Sequence, residues 1–160
     1  MERVLVAGAP GQLGRYVLAE LRRRGYRTRA LVRDASRAAT LQGEADETVS
    51  GDVTRPETLA HVCEQVDVVF SAVGAPLSLK RGGASYREVD FEGNRNLLAA
   101  ARAAGVRRFV YVSVFGAERL RESEYVRAHE DFVQELQRSG LAHTVVRPTG
   151  FFSAMGEMLR

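Results

Sequence analysis

Three glycines, Gly8, Gly11 and Gly14, stand three residues apart directly after a short apolar run at residues 4–7. Apolar side chains then recur at helical spacing, so the glycines lie where a strand turns into a helix. Such glycines let backbone amides approach a pyrophosphate at the helix amino terminus. They could instead only form a tight corner, but their place after the first of several strands favours a dinucleotide site. The predicted phosphate loop is Gly8, Ala9, Pro10, Gly11, Gln12, Leu13 and Gly14.

An arginine follows the second predicted strand, about 20 positions past the glycines, where a bound dinucleotide places its adenosine ribose. The residue is Arg33, and Asp34 comes directly after it. An acidic side chain there selects the free 2′-hydroxyl of NAD, whereas an arginine can fork onto the 2′-phosphate of NADP. We expect Asp34 to point away or to cap the next short helix. NADP is therefore the predicted cofactor and NAD the alternative, unless Arg33 is an ordinary surface arginine.

Short apolar runs alternate with helical patterns along the chain, and these elements must position the loop. Strands are predicted at residues 4–7, 28–32, 47–50, 66–72, 109–112 and 143–146. Helices are predicted at residues 11–24, 36–41, 56–65, 84–104 and 123–138. Regular alternation implies parallel strands joined by right-handed crossovers. The predicted fold class is α/β, a doubly wound parallel Rossmann sheet of about six strands with helices on both faces.

The composition is that of one globular domain, with 160 residues of which 45% are hydrophobic and 27% charged. We expect residues 1–150 to form a dinucleotide-binding domain and residues 151–160 to begin a carboxyl-terminal substrate-binding part that is absent. No run approaches the roughly 20 apolar residues of a membrane helix, and the amino terminus lacks a signal-peptide layout. We therefore expect a cytoplasmic protein with no membrane partner.

The charged residues and the single cysteine exclude further classes of function. The net charge is +3, but the arginines are spread over many segments, so we expect no nucleic-acid partner. Cys63 is the only cysteine, which rules out an internal disulfide. It falls in the apolar pattern of the helix predicted at residues 56–65, where a buried thiol is common. We expect no metal site.

Further motifs, dispersed over essentially the whole chain, follow the predicted strands or lie in the helices. Together with the glycine loop, the chain resembles the atypical short-chain dehydrogenase/reductases, including the NmrA-like proteins. The motifs that carry the resemblance are Val32-Arg33-Asp34, Gly51-Asp52-Val53-Thr54, Ser71-Ala72-Val73-Gly74, Val89-Asp90 to Asn94, Tyr111-Val112-Ser113 and Arg147-Pro148-Thr149-Gly150.

The resemblance implies where a dinucleotide would lie. Asp52 and Val53 would border the adenine, and the stretch Ala72, Val73 and Gly74 would pass under the ribose and pyrophosphate. Pro148 and Thr149 would lie near the nicotinamide carboxamide. These positions agree with the general rule that ligands bind at the carboxyl ends of parallel strands. Each also has a structural alternative, such as a turn at Asp52 or the end of a strand at Pro148.

The resemblance also implies a catalytic group. Reductases of this type place a tyrosine and a lysine one helical turn apart, with a serine nearby that orients the substrate carbonyl. Ser113 and Tyr125 fit two of these places, but His129 stands at the lysine position and Lys80 is the only lysine. His129 could hydrogen-bond the ribose and, if protonated, favour the tyrosinate. The alternative makes Tyr125 a packing residue and His129 a solvated helix residue.

The leading hypothesis is an NAD(P)H-dependent oxidoreductase, or its cofactor-binding portion, that transfers hydride with a small carbonyl, quinone or flavin-like acceptor. The alternative is a non-catalytic NmrA-like sensor of NADP(H) that acts through a protein partner, which the histidine at position 129 favours. A sugar-nucleotide epimerase or dehydratase ranks last. If the carboxyl-terminal part is missing, Phe151 and Phe152 lack a cover, which predicts a homodimer or local mobility.

Overall fold

The computed structural model describes residues 1–75, 85–117 and 122–149, apart from the side chain of Ala35. Its strands are β1 (Arg3–Ala7), β2 (Arg27–Val32), β3 (Glu47–Ser50), β4 (Val68–Ser71), β5 (Arg108–Val112) and β6 (Ala142–Val146). Its α-helices are α1 (Gln12–Arg23), α2 (Ala35–Ala39), α3 (Asn94–Ala103) and α4 (Glu124–Arg138). A 3₁₀ helix, Pro56–Leu59, and a π-helical segment, Arg87–Gly93, complete the described elements.

The strands form one parallel sheet in the order β3-β2-β1-β4-β5-β6. This confirms the predicted doubly wound fold. The chain leaves β1 toward β2 on one side and returns to β4 on the other, so the connections diverge between β1 and β4. Ligands of such sheets bind in the crevice outside the carboxyl ends of the strands at this point. The glycine loop after β1 and the loop after β4 flank this crevice.

Two hydrophobic clusters cover the two faces of the sheet, as expected for parallel strands with helices on both sides. Successive residues of β1 point to opposite clusters, Leu5 to one and Val6 to the other. The larger cluster joins the sheet to α3 and α4, and the smaller one joins it to α1 and α2. A groove of about 720 Å³ beside α1, lined in part by Phe70 and Val110, lies on the face opposite α4.

The helix predicted at residues 56–65 is wrong beyond its first turn. Only Pro56–Leu59 is helical, with 3₁₀ geometry, and tight turns follow in which Val62 donates to the Leu59 carbonyl. The buried residues Leu59 and Val62 are three positions apart, and the 3₁₀ turn stacks side chains at that spacing. Cys63 is buried as expected, although it lies in this turn-rich segment and not in a helix.

The long helix predicted at residues 84–104 differs in its first half. Arg87–Gly93 is π-helical, α3 begins only at Asn94, and residue 84 lies outside the described residues. Gly93 is needed for close packing, because a Cβ there would lie 2.8 Å from Cγ2 of Val53. The wider turns of a π segment re-aim side chains and recur at functional sites. Here Asp90 and Asn94 are both fully buried and face the loop after β4.

Candidate functional site

The glycine loop packs so closely against neighbouring backbone that two of its glycines leave no room for a side chain. Gly8 has a φ of 81°, and a Cβ on it would lie 2.5 Å from the carbonyl oxygen of Ala72. A Cβ on Gly14 would lie 2.3 Å from the carbonyl oxygen of Gly8. The Gly11 amide donates to the same Gly8 oxygen at 3.0 Å, which closes the turn. The loop after β1 therefore packs directly on the loop after β4, with no side chain between them.

The amino terminus of α1 points out of this turn and suits an anion. Gly11 caps the helix without a side-chain hydrogen bond, and the first turn contains no acidic residue. Amides at a helix amino terminus carry partial positive charge and bind phosphate well. The residues present therefore fit the pyrophosphate of a dinucleotide, and contact with it stays a prediction.

At the end of β2, Asp34 caps the next helix as expected. The Asp34 carboxylate accepts hydrogen bonds from the Ser36 hydroxyl and from the Arg37 amide at 2.9 Å, so it caps α2. The Ser36 hydroxyl, followed by the Arg37 amide, lowers the pKa of Asp34. Arg33 follows the last residue of β2 and its side chain is exposed. Because Asp34 caps α2, Arg33 is the residue of the two that could contact an adenosine ribose. That contact stays a prediction.

The predicted adenine border has a structural role of its own. Asp52 Oδ1 accepts from the amide of Thr54 at 2.9 Å and from its hydroxyl at 2.8 Å, which forms a tight turn. Val53 is buried, and its carbonyl accepts from Nδ2 of Asn96 in α3 at 2.9 Å. These contacts fix the loop after β3, and contact with an adenine stays a prediction.

Two buried side chains, those of Asn94 and Asp90, hold the loop after β4, which contains Ala72, Val73 and Gly74. Asn94 accepts from the Ser71 hydroxyl at 2.5 Å, and its Nδ2 lies 3.4 Å from the Val73 carbonyl. Asp90 Oδ2 accepts from the Ala75 amide at 3.1 Å. Sequence reasoning placed both side chains in a family motif but gave neither this role. The available signal for this role was that a charged residue, Asp90, and an amide residue, Asn94, interrupt an otherwise apolar helical pattern.

His129 is buried in the structure, with only 4% of its surface exposed. Its Nε2 lies 3.0 Å from Oδ1 of Asp90, and its Nδ1 lies 2.6 Å from the hydroxyl of Tyr111. The interpretation of His129 as a solvated helix residue is therefore wrong. Both ring nitrogens face inward partners, so a contact with the nicotinamide ribose stays a prediction that needs the ring to turn.

Tyr125 is half-buried on the first turn of α4, and its ring packs edge-on against both Tyr86 and His129. Burial is the main cause that raises its pKa, and the carboxylate of Asp90 adds to the shift. This direction is opposite to the effect expected from a protonated His129. The phenol therefore stays protonated and can donate a hydrogen bond or a proton.

Ser113, directly after β5, is nearly fully buried and is held by residues on two other elements. Its hydroxyl donates to Oε1 of Glu130 at 3.1 Å, and its amide donates to the Val146 carbonyl at 2.8 Å. Nη2 of Arg147 lies 3.0 Å from both oxygens of Glu130, so a paired carboxylate holds the serine. Sequence reasoning missed Glu130, although it singled out Arg147 and Ser113.

The end of β6 is placed beside the end of β5. The Phe115 amide donates to the Pro148 carbonyl at 3.2 Å, while Thr149 is exposed. Phe115 itself is 66% exposed, which puts a large apolar side chain at this edge. A role for Pro148 and Thr149 beside a nicotinamide carboxamide stays a prediction, and residues 150–160 lie outside the described residues.

Two features are absent from the described ranges. Among residues 1–75, 85–117 and 122–149, no three histidine, cysteine, aspartate or glutamate side chains are grouped so that they could hold a metal ion. Within the same ranges no helix has both the length and the apolar character needed to cross a membrane.

Curated relatives match nearly the whole chain. The photosystem II assembly factor Ycf39 of Synechocystis sp. is 31% identical over 158 residues, which cover 96% of this chain and 46% of that protein. The chloroplastic divinyl chlorophyllide a 8-vinyl-reductase of Zea mays is 33% identical over 166 residues, which cover 96% of this chain and 41% of that protein. The chain thus spans about half the length of the curated relatives it matches, or less.

Solved structures and a family model agree on the fold. A Bacillus halodurans protein, provisionally assigned as an NAD-dependent epimerase/dehydratase, is 29% identical with a TM-score of 0.83, covering 93% of this chain and 71% of that one. The NADPH-dependent quinone oxidoreductase of Escherichia coli, solved with NADPH, is 23% identical with a TM-score of 0.75, covering 94% of this chain and 50% of that one. The NAD(P)H-binding family model matches residues 8–157. With its glycine loop and sheet order, this chain belongs to that NAD(P)H-binding family.

Proposed function

We propose that this chain is an NAD(P)H-dependent oxidoreductase, or the cofactor-binding portion of one, that reduces a small carbonyl, quinone or flavin-like acceptor. The observation that carries the proposal is the glycine loop, where backbone atoms occupy the places that Cβ atoms of Gly8 and Gly14 would take. That geometry presents the amides of the α1 amino terminus to a pyrophosphate at the crevice between β1 and β4.

A bound nicotinamide would supply the hydride, and the residues of this chain would bind and orient it. The glycine loop would hold the pyrophosphate, and Arg33 would pair with a 2′-phosphate, which makes NADPH the preferred cofactor. Pro148 and Thr149 would lie beside the carboxamide.

Tyr125 and Ser113 are the residues that we assign to the acceptor. Because the pKa of Tyr125 is raised, its phenol would donate a proton to the acceptor and would not act as a tyrosinate base. Ser113 donates to Glu130 in the structure, so its hydroxyl would have to turn away from Glu130 to donate to a carbonyl oxygen of the acceptor.

The relatives agree with reduction in general and leave the acceptor open. A vinyl-reductase is among the curated relatives, and a quinone oxidoreductase is among the structures with this fold. The exposed Phe115 gives the edge near Ser113 an apolar side chain that a flat conjugated acceptor could contact. We therefore place quinones and flavins first in the search for an acceptor.

A second candidate is a non-catalytic NADP(H) sensor that acts through a protein partner. One observation on the structure favours it: His129 stands where a lysine was expected, and its ring is turned inward. The Ycf39 relatives are named as assembly factors, which fits a protein that works on a partner. A sensor would bind NADPH as tightly as a reductase but would not consume it.

The experiment that separates the two is NADPH oxidation with a panel of quinones, aldehydes and flavins, followed by absorbance. Tyr125→Phe removes the proposed proton donor, and Tyr16→Phe is the matched control because Tyr16 is 69% exposed on α1. We expect turnover that Tyr125→Phe lowers by about 10²-fold or more and that Tyr16→Phe leaves unchanged. Full activity of Tyr125→Phe would refute its role, and tight binding without turnover would favour the sensor.

A further inference from the structure

A buried polar network joins the π-helical segment, β5 and α4 beneath the proposed cofactor site. Asp90 is fully buried, and Oδ1 of its carboxylate lies 3.0 Å from Nε2 of His129. Tyr111 is also fully buried, and its hydroxyl lies 2.6 Å from Nδ1 of the same ring. An unpaired charge in such surroundings is very unfavourable, so these groups depend on one another.

The same carboxylate reaches the loop after β4. Oδ2 of Asp90 accepts from the Ala75 amide at 3.1 Å, and a Cβ on Gly74 would lie 3.1 Å from Oδ1. The Asp90 carboxylate therefore contacts the imidazole of His129 with one oxygen and holds the loop after β4 with the other. The position of that loop depends on how Asp90 is held.

Tyr111 stays protonated in this network. Burial, followed by the charges of Asp90, Tyr125 and Glu130, raises the pKa of Tyr111 well above its ordinary value, so its hydroxyl keeps its proton. The Tyr111 hydroxyl and Nδ1 of His129 share one hydrogen bond, and Nε2 on the other side of the ring faces Asp90. The Nε2 to Oδ1 contact is not aligned as a hydrogen bond.

We propose that Asp90 and His129 are a positioning pair that sets the conformation of the loop at residues 72–75 for NADPH, with His129 acting through Asp90. This inference rests on the proposed cofactor site after β4. It gives the histidine a function without a contact to the ribose, and it makes the affinity for NADPH depend on a pair that the cofactor does not touch.

If the pair had a purely structural role, replacing either residue would lower the stability of the fold and leave the affinity of the folded protein for NADPH unchanged. The chain offers a matched control for that case. Arg87 and Asp131 join the same two elements, the π-helical segment and α4, through an exposed ion pair of 3.1 Å. This control pair makes no described contact with the loop after β4.

The test is a double-mutant cycle with Asp90→Asn, His129→Gln and both together, in the full chain. Asparagine keeps an acceptor for the Ala75 amide, and glutamine keeps a polar group of similar reach. Denaturant unfolding gives the stability of each variant, and calorimetric titration gives its Kd for NADPH. We expect each single change to raise that Kd roughly tenfold and the double change to raise it no further. Arg87→Gln should leave it unchanged.

Three outcomes would overturn the proposal. Unchanged Kd values in folded variants would overturn the proposal and leave a structural pair, and additive losses would also overturn it. If the variants fail to fold, ¹⁵N NMR of the imidazole in the wild-type chain replaces them. We expect the His129 nitrogen resonances to move when NADPH is added, and resonances that stay in place at saturation would overturn the proposal. A lack of NADPH turnover would count against the reductase proposal alone, because none of these measurements depends on turnover.

Discussion

Replacing Gly8 with alanine tests the shape of the glycine loop, and the chain contains a control with the same backbone conformation. Gly8 and Gly25 both have a φ of 81°, but a Cβ on Gly25 would meet nothing within 4 Å. A residue with a side chain at positive φ costs roughly 1–2 kcal/mol. Both variants carry this strain, so their difference isolates the contact between the two loops.

The contact at Gly8 adds a second penalty. The new Cβ would lie 2.5 Å from the backbone oxygen of Ala72, and that oxygen belongs to the loop proposed to pass under the cofactor. Overpacking of this kind typically costs about 1–3 kcal/mol. The loop after β4 must move to relieve it, so we expect Gly8→Ala to weaken NADPH binding by roughly tenfold or more. Gly25→Ala should leave binding unchanged.

Denaturant unfolding and calorimetric titration with NADPH measure the two effects separately. We expect both variants to lose stability, with the larger loss in Gly8→Ala, and only Gly8→Ala to lose affinity. Equal stability losses together with equal affinities would show that the close approach of Gly8 to Ala72 has no bearing on the cofactor, and the loop geometry would no longer support a phosphate site.

Three more predictions concern single side chains. Arg33→Ala should weaken NADPH by roughly 1.5–3 kcal/mol and NADH much less, because only NADPH offers a phosphate to pair with; equal losses in titrations with both would contradict that role. Because the pKa of Tyr125 is raised, NADPH oxidation at a fixed acceptor concentration should stay level from pH 7 to pH 9; a decline with rising pH whose midpoint lies below pH 9, and which Tyr125→Phe abolishes, would show a lowered pKa instead. Burial raises the pKa of Cys63 to about 12, so a thiol reagent at pH 8 should modify it only after unfolding; rapid labelling of the native chain would contradict its burial.

Much of the sheet could be predicted from the sequence because parallel strands buried on both faces give continuous apolar runs. The run at residues 4–7 became β1, and the glycines after it ended the strand where expected. Asp34 was expected to cap the next helix because a short acidic side chain after a strand suits that position, and it does cap α2. These are local effects, which a single segment of sequence contains.

The errors arose where contacts distant in sequence decide the structure. Leu59 and Val62 fit a helix by their spacing of three, but they also fit the tighter turns that this segment adopts against the core. Asp90 and His129 lie 39 positions apart, and only the packing of α4 on the π-helical segment brings them together. No periodicity predicts that pair, so the inward turn of His129 and the role of Glu130 needed the structure.

Calorimetric titration of the full chain with NADPH and with NADH tests the central claim most directly. We predict one NADPH bound per chain and weaker binding of NADH, because the glycine loop presents helix amides to the pyrophosphate and Arg33 stands at the end of β2. A folded chain that releases no heat with either dinucleotide would contradict a cofactor site at the crevice between β1 and β4.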